Sequence, residues 1–531
     1  MSWRLKEEAR RTLADELGTS YKPPCEVEVA LVYPHTYYTG MSCLGFQTVY
    51  KILTQRVDTR CERVFLPDSN EFPEYLRTNT SLFTLESQHP IRKFDILAFS
   101  IYFEEDFLSI LKILELAKIP LWANEREDLP LVIAGGPATY INPEPIADFF
   151  DLFILGEAEE LLDEFIDLFR EAKTLGLDKD GLLEEAAKIE GIYVPTKAIS
   201  KEGIRKKTVD LLDLYHVSSS IITPYTEFAS RYLIEVSRGC PRGCRFCVAK
   251  FIDHPFRYRS LDVLLEEAVK GLAMTKKIGL VGTGEGDYPW LEELVARIKE
   301  MGGEVSIGSI RFEAITPELL ESLTQWTLSL APEAGNELLR GFLGKELTND
   351  EIFKKVELIS SYIPNLKLYF MTGLPQEKEE DIEDLITLAK EIRDRIPRTH
   401  LTISISPFVP KPHTPFQWRK MEDKEILKAR GGRIKNELEA EGIRVTLGSV
   451  RLSLLQAILA RGDRRLSHIL YLIHKENLNW QQAFEKASLD SRSYLEGWGS
   501  YESPLPWDHL KTGPPKEFLI DQDRRIPPYR E

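Results

Sequence analysis

Cysteine is scarce, with six residues in a chain of 531. A disulfide-stapled secreted module is thereby excluded, because such modules are cysteine-dense. No apolar run reaches the roughly 18–20 residues that a membrane-spanning helix needs. The opening segment MSWRLKEEARRTLADELG reads as a charged amphipathic helix and lacks the unbroken apolar stretch of a secretion signal. Long basic tracts are missing too. Arg205-Lys206-Lys207 and Arg524-Arg525 are short, and 68 basic against 84 acidic residues leave a net charge of −16. That balance lowers the expectation of a nucleic-acid partner. There is no low-complexity tract and no repeat beyond a strand–helix period. Sparse cysteine suits a reducing compartment, so a cytoplasmic location is expected.

What the chain does have is a concentration of that rare residue. Cys240, Cys244 and Cys247 fall in the run VSRGCPRGCRFCVAK, spaced CxxxCxxC. Soft thiolates select an iron–sulfur cluster or zinc. Three thiolates can hold three irons of a cubane and leave the fourth iron open to another ligand. A structural zinc site wants four protein ligands, and His254 is close enough in sequence to complete a Cys3His set. The flanks read as strand, loop and helix. YLIEVSRG (232–239) is aliphatic, Gly239, Pro241 and Gly243 break it, and LDVLLEEAVKGLAM (261–274) has helical spacing. Phe246 sets an aromatic face beside the last cysteine.

With Phe246 in place, the motif resembles that of the radical SAM superfamily, CxxxCxΦC with an aromatic at Φ. The resemblance implies a 4Fe–4S cluster on Cys240, Cys244 and Cys247. It implies that S-adenosylmethionine chelates the open iron and is cleaved by one electron to methionine and a 5′-deoxyadenosyl radical. It also implies an electron donor such as flavodoxin or ferredoxin.

The apolar content of 43% can fill several cores, and 531 residues suggest about three domains. The expected divisions are an N-terminal helix (1–26), a doubly wound α/β domain (27–172), a connector (173–230), a barrel (231–420) and a mainly helical region (421–531). In the first α/β domain VEVALVYP, CERVFLPD, FDILAFSIYF, LPLVIAGGP and FDLFILGEAEE read as strands with their exits. Ligands sit beyond the carboxyl ends of such strands. Those ends carry His35, Tyr37, Ser100, Gly135, Gly136 and Gly156. This domain resembles the cobalamin-binding domain of cobalamin-type radical SAM proteins, through GGPATYINPEP and GEAEE. Cobalamin is therefore expected, with its nucleotide tail displaced from cobalt and extended toward Gly135, Gly136 and Gly156. Cobalamin domains that supply a histidine to cobalt carry DxHxxG, whereas this chain has YPHTYYTGMSCLG. His35, Tyr37 or Tyr38 can reach the lower face, and no strong histidine–cobalt bond is expected.

From residue 232 strands and helices alternate six times, with strands at 232–239, 277–283, 304–311, 327–332, 366–372 and 400–406. Six repeats fit the partial (β/α)6 barrel that the resemblance implies, with functional residues at the strand carboxyl ends. The resemblance assigns cofactor contacts to Gly282, Gly284 and Glu285 in LVGTGEGDYP, to Ser309 and Arg311 after the third strand, and to Glu333 and Arg340 in APEAGNELLR. Each charged pair can equally be a rim salt bridge. His413 in PFVPKPHTPFQW can be catalytic or structural. GMSCLG, SLFTLES and KPHTPFQW extend the resemblance over most of the chain. No second cysteine trio exists, which argues against the methylthiotransferase branch. The expectation is a radical enzyme, with methyl transfer through cobalamin to an unactivated carbon or to phosphorus. Cyclisation or rearrangement without methyl transfer and a metal-dependent assembly factor are the alternatives. The substrate is not legible.

Overall fold

Runs of valine, isoleucine and leucine, broken by glycine and proline, set where each strand begins and ends. The computed structural model describes residues 2–128, 130–308 and 310–525. They form two units.

The first unit comprises residues 1–232, 459–491 and 504–512. Its sheet contains β1 (Val27–Tyr33), β2 (Thr59–Phe65), β3 (Ile96–Ser100), β4 (Leu131–Gly135), β5 (Leu152–Ile154) and β6 (Ile192–Tyr193), in the order β2-β1-β3-β4-β5-β6. The first five run parallel and β6 closes one edge antiparallel. Helices cover the sheet, so these strands are buried on both faces and read as continuous apolar runs. β3, Ile96-Leu-Ala-Phe-Ser100, is buried throughout. Helices Leu44–Gln55, Phe107–Ala117 and Ala158–Leu175 alternate with the strands. The doubly wound reading of this region is the one observed.

The segment 173–230, expected to be a connector, is partly built into this unit. It supplies β6, and Ile204–Arg205 pairs with Leu510–Lys511. Lys207 bridges to Gly156.

One interaction within the unit ties the N-terminal segment to the sheet. Arg63 on β2 has a fully buried side chain. Its two terminal nitrogens donate to Glu16 at 2.8 and 2.7 Å, and its Nε donates to Glu86 at 2.6 Å. The guanidinium also lies 5.1 Å from the centre of the Tyr50 ring. Two buried carboxylates thus share one cation.

The second unit comprises residues 233–458, 492–503 and 513–531. Its strands are β7 (Tyr232–Arg238), β8 (Lys277–Gly282), β9 (Glu304–Ile307), β10 (Thr327–Glu333), β11 (Asn365–Thr372), β12 (His400–Pro407) and β13 (Arg444–Leu447). They make two ladders, β9-β8-β7 and β10-β11-β12-β13, with Arg257–Tyr258 antiparallel beyond β7. Between β9 and β10 the ladder is replaced by a corner. There Thr324 N–H donates to the Val305 carbonyl at 3.0 Å, and Ile307 N–H donates to the Gln325 side chain at 2.8 Å. The sheet is an open partial barrel.

Alternation explains its hollow side. On β12 Leu401, Ile403 and Ile405 are buried, whereas Thr402, Ser404 and Ser406 are not. On β10 Leu328 and Leu330 alternate with Ser329, Ala331 and Glu333 in the same way. One face of each strand packs on helices and the other carries small or polar side chains. A filled barrel would place bulky branched residues there instead.

All six expected barrel strands form. The third is shorter than read, ending at Ile307. β13 lies in the region expected to be mainly helical. Its four residues, Arg-Val-Thr-Leu, are too few to show a period. Helices Val450–Arg461 and Arg465–Glu476 form as read.

Replacing Arg63 with Met strands two buried carboxylates, at a cost of about 3–5 kcal/mol. Denaturant unfolding followed at this unit should show that loss, and the triple change R63M/E16Q/E86Q should recover most of it.

Candidate functional site

The cysteine loop leaves β7 with no regular structure until Cys247, which begins the short helix Val248–Ile252. All three cysteines are part-exposed free thiols. They share the wall of one cavity of about 270 Å³. Burial pushes the Cys247 thiol up to about 11 and raises that of Cys240, and the neighbouring cysteines add to both shifts. Thiols held neutral in this way must release protons when they take up metal.

The glycine-rich turn after β8 fits closely against this loop. A β-carbon at Gly284 would stand 3.1 Å from the Gly239 carbonyl oxygen. One at Gly282 would meet Ser237 at 2.9 Å. Gly282 therefore packs on β7, whereas Gly284 and Glu285 line the cavity. Glu285 is buried and opens the turn Glu285–Asp287. From inside the cysteine motif, Arg242 Nε donates to Asp287 at 2.7 Å.

Arg311, after β9, lines the cavity and pairs with Glu313 at 3.2 Å. Its Nε is buried with no hydrogen-bond partner among the described residues. Glu333 ends β10 after a register shift and sits at φ +71°, a left-handed value uncommon for a residue with a side chain. Such bulges re-aim side chains at functional sites. Lys345 Nζ stands 3.1 Å from the Glu333 carboxylate and also donates to the Ala331 carbonyl. Phe246 lines the cavity and packs against the cluster of Ala334, Leu339 and Phe342.

Cys240, Cys244, Cys247, Phe246, Gly284, Glu285, Arg311 and Glu333 are thus brought together as the sequence suggested. Arg340 is not among them. It is fully buried, donating to the Leu347 carbonyl at 2.7 Å and the Ala334 carbonyl at 2.9 Å, and also to Asn349. It secures the loop after β10. The cation that reaches the cavity from this loop is Lys345, which sequence reasoning missed. Nothing in GFLGKE distinguished a buried lysine from a solvated one. Ser309 lies outside the described residues. His413 is buried, and its backbone N–H donates to the Gln417 side chain at 3.0 Å.

The donor set bears on the two metal readings. His254 is exposed and does not line the cavity. Among the described residues no three of His, Cys, Asp and Glu converge as ligands of a single ion. Three thiols lining one cavity suit a polynuclear group in which each thiolate takes its own iron. Arg311, Lys345, Glu285 and Glu333 line the same cavity, and that mix of charges suits a ligand carrying both a carboxylate and an ammonium.

In the first unit the strand order matches the flavodoxin-like arrangement, with its switch point between β1 and β3. Ser100 ends β3, and His35 follows β1. His35 is exposed, with Nδ1 accepting from Thr36 N–H at 2.9 Å. Tyr37 O–H donates to Glu16 at 2.5 Å. Tyr102 stacks on Tyr33 at 6.0 Å. Asp106 is buried, and Oδ2 has no hydrogen-bond partner among the described residues. Burial, then Glu105 and Glu104, pushes its carboxyl up to about 7. Gly135 ends β4. The space beside the two glycines that follow belongs to the chain's own backbone. A β-carbon at Gly136 would lie 2.5 Å from the Ile101 oxygen, and one at Gly156 would lie 2.2 Å from the Lys207 oxygen.

Among the described residues, no helix is long and apolar enough to cross a membrane. Residues 45–195 match the family model for the N-terminal region of radical SAM proteins, and residues 234–389 match that of the radical SAM superfamily. An uncharacterised Methanocaldococcus jannaschii protein, MJ0966, is 32% identical over 459 residues, covering 85% of this chain and 91% of that protein. A second protein of that organism, MJ1620, is 22% identical, covering 62% of this chain and 70% of its own. The solved radical S-adenosylmethionine methyltransferase TsrM from Kitasatospora setae, with cobalamin and a 4Fe–4S cluster bound, is 14% identical at a TM-score of 0.49, covering 76% of this chain and 75% of that one. With both halves matched and the cysteine trio lining its cavity, this chain belongs to the radical SAM superfamily, enzymes that use a 4Fe–4S cluster and S-adenosylmethionine and depend on a reductant.

Proposed function

We propose that this protein reductively cleaves S-adenosylmethionine to methionine and a 5′-deoxyadenosyl radical, and that the radical serves methyl transfer through cobalamin to an unactivated carbon or to phosphorus. The observation that carries the first step is the single cavity lined by the three cysteines together with Arg311, Lys345, Glu285 and Glu333. When bound, the cluster supplies the electron that breaks the sulfonium bond. The protein's own part is to hold three thiolates, leave one iron position without a side chain, and orient the amino-acid end of the cosubstrate. Arg311 Nε offers an unused donor to its carboxylate. Glu285 and Glu333 offer acceptors to its ammonium.

The cobalamin half of the proposal draws support from the first unit. Its strand order opens a crevice between β1 and β3 where His35 and Ser100 stand, and Asp106 brings an unsatisfied buried oxygen. The second reading is radical cyclisation or rearrangement without methyl transfer. A third reading is an assembly factor that keeps the fold without turnover. The proposed electron donor is a small reducing protein such as flavodoxin or ferredoxin, and the proposed location is cytoplasmic. The net charge of −16 keeps nucleic acid outside the proposal.

Anaerobically purified protein should contain one 4Fe–4S cluster per chain, and Ala at Cys240, Cys244 or Cys247 should reduce cosubstrate cleavage to background. Stoichiometric zinc without iron would contradict this.

Product analysis separates the readings. S-adenosylhomocysteine alongside 5′-deoxyadenosine supports methyl transfer, and 5′-deoxyadenosine alone supports the second reading. Neither product, from an intact cluster, supports the third. The bound Co(II) form should give an electron paramagnetic resonance spectrum without nitrogen superhyperfine splitting. A splitting that disappears in His35→Ala would establish histidine ligation instead. Failure to retain cobalamin under any condition would remove methyl transfer.

A further inference from the structure

Two arginines stand inside the cysteine motif and make different contacts. Arg242 meets a carboxylate, Asp287. Arg245 meets carbonyls. Its Nη1 donates to the Phe342 oxygen at 2.7 Å and to the Gly341 oxygen at 3.1 Å. Its backbone N–H donates to the Leu343 oxygen at 2.9 Å. These oxygens belong to the carboxyl end of the helix Glu337–Phe342 and the residue beyond it, where unpaired carbonyls favour a cation. The two backbones also touch directly. Gly344 sits at φ +78°, and a β-carbon there would lie 2.3 Å from the Gly243 oxygen.

The next residue is Lys345. Its side chain is about one-tenth exposed and holds Glu333 at 3.1 Å. The five residues 341–345 therefore grip the cysteine loop at one end and the Glu333 carboxylate at the other. Both ends border the same cavity.

We propose that Arg245 is a positioning residue that locks the segment 341–345 to the cysteine loop, so that the Lys345–Glu333 pair keeps a fixed place relative to the cluster. Binding of S-adenosylmethionine is thereby coupled to the loop that carries Cys244 and Cys247. The proposal rests on the reading that the cosubstrate occupies this cavity. Removing the guanidinium leaves the thiols in place but frees the segment that carries Lys345 and through it holds Glu333.

The test is a titration of the reduced cluster with S-adenosylmethionine, followed by electron paramagnetic resonance, in wild type, Arg245→Ala, Arg245→Lys and Gly344→Ala. Wild type should change its spectrum on addition of the cosubstrate. Arg245→Ala should retain iron and sulfide, yet its titration midpoint and KM should rise about 10- to 100-fold, the range expected for losing hydrogen bonds to a charged donor. Its kcat should fall less than its kcat/KM. Arg245→Lys keeps one donor for the Phe342 oxygen and should recover much of the loss. Gly344→Ala forces apart the other contact and should reproduce the Arg245→Ala phenotype.

A wild-type midpoint in both Arg245→Ala and Gly344→Ala, with full iron, would overturn the proposal. Loss of iron from both would overturn it too, by showing that the contact holds the cluster loop itself. If wild type shows no spectral change with S-adenosylmethionine, the reading of the cavity fails, and this inference fails with it.

Discussion

Three thiols within eight residues have to be held along one wall by a loop with no ladder or helix of its own. The structure answers that constraint by anchoring the loop to its neighbours. Arg242 reaches Asp287 beyond β8, and Gly284 lets the glycine-rich turn lie against Gly239. Arg245 reaches the carbonyls beyond β10. The anchors come from segments that follow β8 and β10, because parallel strands deliver their exits to one side. The cavity follows from the same geometry.

The open barrel makes room for that cavity through simple alternation. Leucine and isoleucine take every second position and face the helices, which leaves serine, threonine and alanine on the other face. Small side chains on these two strands leave space in the interior, which Tyr369 of β11 borders. Where the ladder breaks between β9 and β10, Thr324 and Gln325 satisfy backbone groups that would otherwise lack partners. At the end of β10 the register shift and the left-handed Glu333 place a carboxylate beside Lys345. Strain at such a position costs of order 1–3 kcal/mol and persists where the surroundings hold it.

Much of this was legible from the residues. The cysteine spacing, the aromatic at Phe246 and the strand–helix period named the chemistry and the fold class, since each reflects a local rule. Glu285, Arg311 and Glu333 stand out in the sequence because they end or follow strands, and in the structure they line one cavity. What escaped depends on long-range placement. Arg340 lies in the helix Glu337–Phe342 and Lys345 just beyond it, yet Arg340 is consumed by backbone carbonyls while Lys345 reaches the cavity. Gly136 and Gly156 stand at strand exits as read, and the chain's own backbone fills the space where a β-carbon of each would lie. β13 was missed because four residues carry no readable period.

The central claim is a cluster with one iron that the protein leaves unligated, in a cavity whose charged side chains suit an amino acid. Mössbauer spectroscopy of protein reconstituted with iron-57 tests it most directly. One iron in four should change its isomer shift and quadrupole splitting when S-adenosylmethionine is added, while the other three stay as they were. Four irons that remain alike with and without the cosubstrate would contradict the account.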